Sequence, residues 1–162
     1  MTQLFSGKEV SASVYESLTP KIQALKSKGI TPGLAVILVG DDPASAVYVR
    51  SKTRKFASLD LFSETIRFDS DISQEDLILK IQDLNVDNRF HGILVQFPLP
   101  KHIDEGSIIS HIDPVKDVDG FHPENVGYLT GGNPRFIPCT PKGIMRILSF
   151  YGVELSAKHV VI

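Results

Sequence analysis

The chain is expected to fold as an α/β protein in three layers, an open, mostly parallel sheet with flanking helices. Two observations carry that reading. Residues 34–39 (LAVILV) and 92–97 (GILVQF) are short, continuous apolar runs, the texture of strands buried on both faces. Helical periodicity fills the interval between such runs, as crossovers between parallel strands require.

The elements follow in order. Val10, Val14, Leu18, Ile22 and Leu25 recur every three or four residues and mark an amphipathic first helix, which Pro20 should kink or divide. The first buried strand, 34–39, leads into Asp41-Asp42-Pro43, a turn with Asp42 as N-cap and Pro43 at the first helical position. That helix should run to about Leu59. Residues 65–68 suggest a second strand, and Ser73 opens a helix with apolar positions Leu77, Ile78, Ile81 and Leu84. The strand 92–97 should stop at Pro98 and Pro100. A short helix is expected over 104–112. Residues 113–141, rich in proline, glycine and polar turns, lack periodicity and read as linker or site. Thr140-Pro141 restarts a helix through Ile144, Ile147 and Leu148, and residues 159–162 (HVVI) look like the start of another strand.

Composition narrows the function classes. Seventeen Lys and Arg stand against nineteen Asp and Glu, a net charge of -2, which gives no reason to expect nucleic-acid binding. No apolar run is long enough to span a bilayer, and MTQLFSGKEV lacks the apolar centre of a signal peptide, so a cytoplasmic protein without membrane association is expected. The single cysteine, Cys139, has no intrachain disulfide partner, and the five histidines show no metal-ligand spacing. No metal is expected.

Open parallel sheets bind ligands beyond the carboxyl ends of their strands. After the first strand, Tyr48 and Lys52 stand four apart on a helix, a phenol and an ammonium on one face. After the third, Gln96 leaves an apolar run; an amide there can equally bond to local backbone. Lys116-Asp117-Val118-Asp119-Gly120 places two carboxylates before a glycine, a string that is also compatible with an ordinary turn or an incomplete calcium loop. Tyr-x-x-x-Lys is also the catalytic pair of short-chain dehydrogenases. The turn GDDPAS is too poor in glycine for the pyrophosphate cradle that family needs.

Four cassettes in order, GDDPASAVYVRSK, HGILVQFPLP, KDVDGFHPENVG and FIPCTPKG, closely resemble the bifunctional methylenetetrahydrofolate dehydrogenase/cyclohydrolase family, across essentially the whole chain. The resemblance implies a folate cleft between an N-terminal catalytic domain and a C-terminal Rossmann domain holding NADP or, less often, NAD. It implies oxidation of 5,10-methylenetetrahydrofolate to the methenyl cation and hydrolysis of that cation to 10-formyltetrahydrofolate. Tyr48 would stack on the p-aminobenzoyl ring and Lys52 would move protons at the bridging carbon. Gln96 would hold Lys52, and Asp119 would accept hydrogen bonds from the pterin. A free lysine, with a pKa near ~10.4, is a poor base at neutral pH unless burial or a nearby cation such as the methenyl intermediate lowers it. Pro98 and Leu99 beside Gln96, and Thr140 and Pro141 at the domain junction, complete the expected substrate-binding set.

The same resemblance divides the chain into a folate-binding catalytic domain (1–138), a connecting helix and linker (139–157) and the first strand of a Rossmann domain (158–162). Residues that would hold the cofactor are expected beyond Ile162, and a homodimer is expected of the full-length protein. Two alternatives stand beside the bifunctional enzyme: a non-catalytic folate-binding fragment and a monofunctional dehydrogenase.

Overall fold

The computed structural model describes residues 4–161. In chain order its elements are α1 (Gly7–Lys26), β1 (Gly33–Val39), α2 (Pro43–Ser58), β2 (Phe62–Phe68), α3 (Gln74–Val86), β3 (Gly92–Val95), α4 (Glu105–His111), α5 (Pro123–Thr130) and α6 (Cys139–Phe150). The three strands form one parallel sheet, ordered β2-β1-β3, in which Ile37 of β1 lies opposite Ile66 on one side and Val95 on the other.

The central strand explains the apolar run that announced it. All seven residues of β1 are buried, and alternate side chains enter two different cores, as the period of two requires. Ala35, Ile37 and Val39 pack with Leu77, Ile81 and Leu84 of α3 and Ile108 of α4. Leu34, Val36 and Leu38 face the other way, toward Val49 of α2 and Leu94 of β3. Each such aliphatic side chain contributes roughly 1.5–3 kcal/mol on burial. The second cluster is the smaller one because α2 packs mainly over β1 and β2.

Several expectations are corrected. α1 is one helix through Pro20, which does not divide it. Proline removes the bond to the Glu16 carbonyl, but Glu16 and Pro20 are both exposed, so water can serve that carbonyl. Only Val10 of the α1 apolar series is buried. β2 begins at Phe62, and β3 ends at Val95, although Gln96 N still donates to Ile37 O at 2.9 Å. The region read as irregular contains α5, started by Pro123 at its first turn and capped by His122, whose Nδ1 accepts from Glu124 N at 3.1 Å. No strand forms at residues 159–161; that backbone has no neighbouring strand among the described residues, and a strand requires a ladder partner. Ile162, the end of the expected strand, lies outside the described residues.

Candidate functional site

The face of β3 that α2 leaves uncovered opens into a cleft of about 830 Å³. Its floor is apolar, made by Leu34, Phe56, Leu94 and Val118, and its charged groups, Lys52, Arg54, Lys55 and Asp119, stand around that floor. Such a lining suits a flat organic ligand fixed by a small number of hydrogen bonds. The cleft does not simply cap the carboxyl ends of the strands: it runs along the sheet as far as Leu34, near the start of β1.

One wall is α2. Asp42 caps this helix, its Oδ2 accepting from Ser45 N at 2.7 Å, and Pro43 occupies the first turn. Ser45 and Val49 turn inward and are buried, which leaves Tyr48 and Lys52, one turn apart, at the cleft. Tyr48 is 63% exposed, so its ring face is available for stacking. Lys52 is half-buried, and its Nζ donates to Gln96 Oε1 at 3.2 Å. The other end of that amide, Nε2, donates to Phe97 O at 2.9 Å. An ammonium can only donate and a carbonyl can only accept, so the two partners fix which end of Gln96 faces Lys52. The backbone bond and the lysine bond are therefore made together, by opposite ends of one side chain.

The opposite wall is a strap that continues from α4 along the edge of β3. Ile93 N donates to Lys116 O at 2.7 Å, and Lys116 Nζ donates to Leu84 O and Asp87 O at the end of α3. Asp117 is buried and turns the chain: Oδ1 accepts from Gly120 N at 3.1 Å and Oδ2 from His122 N at 2.8 Å. Gly120 has φ +71°, the left-handed region that glycine adopts without strain. Val118 and Asp119 thereby reach the cleft. Burial pushes the Asp119 carboxyl above the ordinary aspartate range; the positive charge of Lys52 opposes that shift and the negative charge of Asp117 adds to it. Ligand donors directed at this carboxylate would favour its ionised form.

The structure thus brings Tyr48, Lys52, Asp119 and Thr140 into one cleft, with Gln96 bonded to Lys52. Pro98, Leu99 and Pro141 are not among its walls. Leu99 is only 9% exposed and belongs to the core on the other side of the sheet; Pro98 and Pro141 are exposed. Several wall residues had not been singled out, among them Ser51, Phe56, Tyr15 and Val118. Tyr15 comes from α1, and the Lys55 ammonium lies 4.0 Å from the centre of its ring; nothing local in the sequence marks it. Val118 could have been found, since an apolar residue between two aspartates suggests alternation. Among the described residues, no three His, Cys, Asp or Glu side chains gather as a metal site, and no helix is long and apolar enough to cross a membrane.

Residues 5–119 match the family described as tetrahydrofolate dehydrogenase/cyclohydrolase, catalytic domain. The bifunctional protein FolD of Streptococcus pyogenes serotype M5 (strain Manfredo) is 55% identical over 163 residues, covering all of this chain and 57% of that protein. The crystal structure of the bifunctional enzyme FolD, methylenetetrahydrofolate dehydrogenase/cyclohydrolase, from Campylobacter jejuni superposes with a TM-score of 0.92 at 48% identity, over 96% of this chain and 56% of that one. The Trypanosoma brucei methylenetetrahydrofolate dehydrogenase-cyclohydrolase, solved with NADP cofactor and inhibitor, gives a TM-score of 0.89 at 35% identity, over 94% and 52% respectively. The chain spans little more than half the length of these relatives. The match in sequence and fold over this span is sufficient to conclude that the chain belongs to the tetrahydrofolate dehydrogenase/cyclohydrolase family.

Proposed function

We propose that the cleft binds tetrahydrofolate derivatives and supplies the proton-transfer residues of a bifunctional enzyme. That enzyme oxidises 5,10-methylenetetrahydrofolate with NADP and hydrolyses the methenyl product to 10-formyltetrahydrofolate. The observation that carries the reading is the Lys52 Nζ to Gln96 Oε1 bond of 3.2 Å in a cleft that Tyr48, Lys52 and Asp119 line.

Each residue has a role that its chemistry allows. Tyr48 stacks on the p-aminobenzoyl ring, a contact worth ~1 kcal/mol beyond area burial. Asp119 accepts from neighbouring pterin N–H groups, which an ionised carboxylate can do through both oxygens. Thr140 closes the cleft at the start of α6. Water adds to the methenyl carbon and gives up a proton to the Lys52 amine. The carbon–N5 bond then breaks as the carbinol hydroxyl gives up its proton and becomes the formyl carbonyl on N10; N5 takes one of the two protons lost by the water, and the other is released to solvent. Gln96 does not titrate; it holds the amine in line for both transfers. Pro98 and Leu99 follow Gln96 along the chain, outside the cleft lining, and Pro141 lies in the first turn of α6.

NADP, when bound, supplies the hydride acceptor; NAD is the lesser alternative. The first strand-to-helix turn of the sheet does not fit its pyrophosphate. The turn after β1 carries Asp41 and Asp42, and hydrogen bonds from Ser45, the backbone N–H first, hold the Asp42 carboxyl below its ordinary range. A carboxylate therefore occupies the helix N-terminus that a phosphate would need. No residue of this chain is assigned to the cofactor. We further propose residues 1–138 as the folate-binding catalytic domain, 139–157 as connecting helix and linker, and 158–162 as the start of a cofactor domain, in a cytoplasmic, homodimeric full-length enzyme.

Lys52→Met tests the central assignment. The unmodified chain should bind tetrahydrofolate and hydrolyse the methenyl compound without cofactor. The variant should keep measurable binding and lose hydrolysis by ~10²–10⁴-fold, the usual contribution of a positioned acid–base group. Hydrolysis at the parent rate would remove Lys52 from the chemistry. Failure of the parent to bind tetrahydrofolate would remove the folate reading itself.

A further inference from the structure

We infer that Asn125 is a positioning residue for Asp119, acting through Asp117 to hold the 117–122 turn on which the cleft carboxylate is carried. The inference rests on the folate reading, because the contact it serves is the one proposed between Asp119 and the pterin.

Asn125 is completely buried, yet it is not among the residues that line the cleft. Its Nδ2 donates to Asp117 Oδ2 and to Pro114 O, both at 2.8 Å. Its Oδ1 accepts from Arg135 Nη1 at 3.0 Å. Arg135 is held in turn by Glu124, with Nη2 to Oε1 at 2.7 Å, and its guanidinium lies over the Tyr128 ring. A guanidinium has no acceptor and the Pro114 carbonyl has no donor, so the amide can face its partners in only one way. Both of its N–H bonds are used. The consequence falls on Asp117, whose oxygens also receive the N–H groups of Gly120 and His122. Those two bonds flank Asp119. A buried carboxylate that lost the Asn125 donor would be under-satisfied and free to turn away from the two backbone groups that define the turn.

The distinguishing variant is Asn125→Asp. It keeps the oxygen that meets Arg135 and nearly the same shape, but replaces the donor to Asp117 with a second carboxylate oxygen. Two measurements on the full chain read the result. In amide hydrogen exchange, the Gly120 and His122 N–H groups should exchange at least ~10-fold faster while Val36 and Ile37 in β1 keep their protection, the pattern of local rather than global opening. In tetrahydrofolate binding, Asn125→Asp should weaken affinity ~10-fold in the parent and less than ~2-fold in an Asp119→Ala background, because a residue acting through another has nothing left to act on.

Unchanged turn amides would overturn the inference. So would acceleration spread equally over β1, or equal affinity losses in both backgrounds; each would make Asn125 a general contributor to the fold. If Asn125→Asp does not fold, Arg135→Gln leaves the amide in place but free to rotate, and the same two readouts should move in the same direction by a smaller factor. Absence of tetrahydrofolate binding by the parent chain overturns this inference together with the folate reading. Binding by the parent with additive losses overturns this inference alone.

Discussion

Replacing Gln96 with leucine removes two bonds at once: the acceptor held 3.2 Å from the Lys52 ammonium and the donor held 2.9 Å from Phe97 O. Hydrogen bonds to charged groups contribute ~1.5–3 kcal/mol. The Lys52 bond belongs at or below the low end of that range, because it is long and the lysine is only half-buried. A loss of about 1–1.4 kcal/mol corresponds to a rate ~5–10-fold lower. Gln96 is proposed to direct the amine rather than to grip the ligand, so the loss should appear in kcat for methenyl hydrolysis, with KM changed by less than ~3-fold. Gln96→Glu sharpens the test. A carboxylate in the same place favours the protonated ammonium, so the pH at which hydrolysis reaches half its plateau should rise, a shift that leucine cannot produce in that way. The assay is loss of the methenyl chromophore across a pH series. A leucine variant within ~2-fold of the parent kcat, or a glutamate variant with an unshifted profile, would refute the proposal that this bond governs proton transfer.

Two further substitutions separate binding from folding. Asp119→Asn removes a charge that the folded chain holds at a cost: burial raises its carboxyl above the unfolded value, so the ionised form weakens the fold at neutral pH. That penalty is relieved as pH falls through the raised folded value, and it is gone below the ordinary aspartate range. The asparagine variant should therefore be more stable than the parent at neutral pH in urea melts, with a gap that closes on acidification, while tetrahydrofolate binding falls; a variant less stable at pH 7 would contradict the sign. Leu99→Ala, in the core away from the cleft, should cost ~2–3 kcal/mol in urea unfolding, the lower part of the range for core leucines, and leave tetrahydrofolate affinity unchanged. A selective loss of affinity would return Leu99 to the ligand's surroundings.

The parts of the fold legible in the sequence were those where local chemistry and tertiary packing agree. β1 was plain because both of its faces are buried, so no polar residue interrupts LAVILV. The starts of α2 and α3 were plain because Asp42 and Ser73 satisfy helix N–H groups within three residues. β2 was found only in part, since it is an edge strand of mixed exposure. α5 was missed because eight residues give too little periodicity against the prolines and glycines around them, although Pro123 and Glu124 at its start were a usable signal. In the site, Tyr48 and Lys52 could be paired from their spacing alone. The Lys52–Gln96 bond could not, because it spans 44 residues and depends on α2 lying beside the end of β3; the resemblance supplied it. Leu99 is a related case: close to Gln96 in sequence, it packs in the core on the α3–α4 side of the sheet.

That division between the two sides of the sheet also explains why the cleft and the core can be altered separately. The α3–α4 side is a closed apolar layer, and its substitutions are felt as stability. The α2 side is incomplete over β3, and the strap 113–120 supplies a second wall at a distance rather than filling the space. A helix there would complete the core and remove the site. The open face leaves Lys52 and Asp119, opposite in charge, beside the apolar floor of Leu34, Leu94 and Val118, and burial there penalises the Asp119 charge until a partner arrives. A ligand that is flat along its length and rich in donors at the Asp119 end would cover the floor and satisfy the carboxylate in one event. The fold therefore carries a standing cost at Asp119, and the ligand that relieves it should stabilise the chain more at neutral pH than at pH 4.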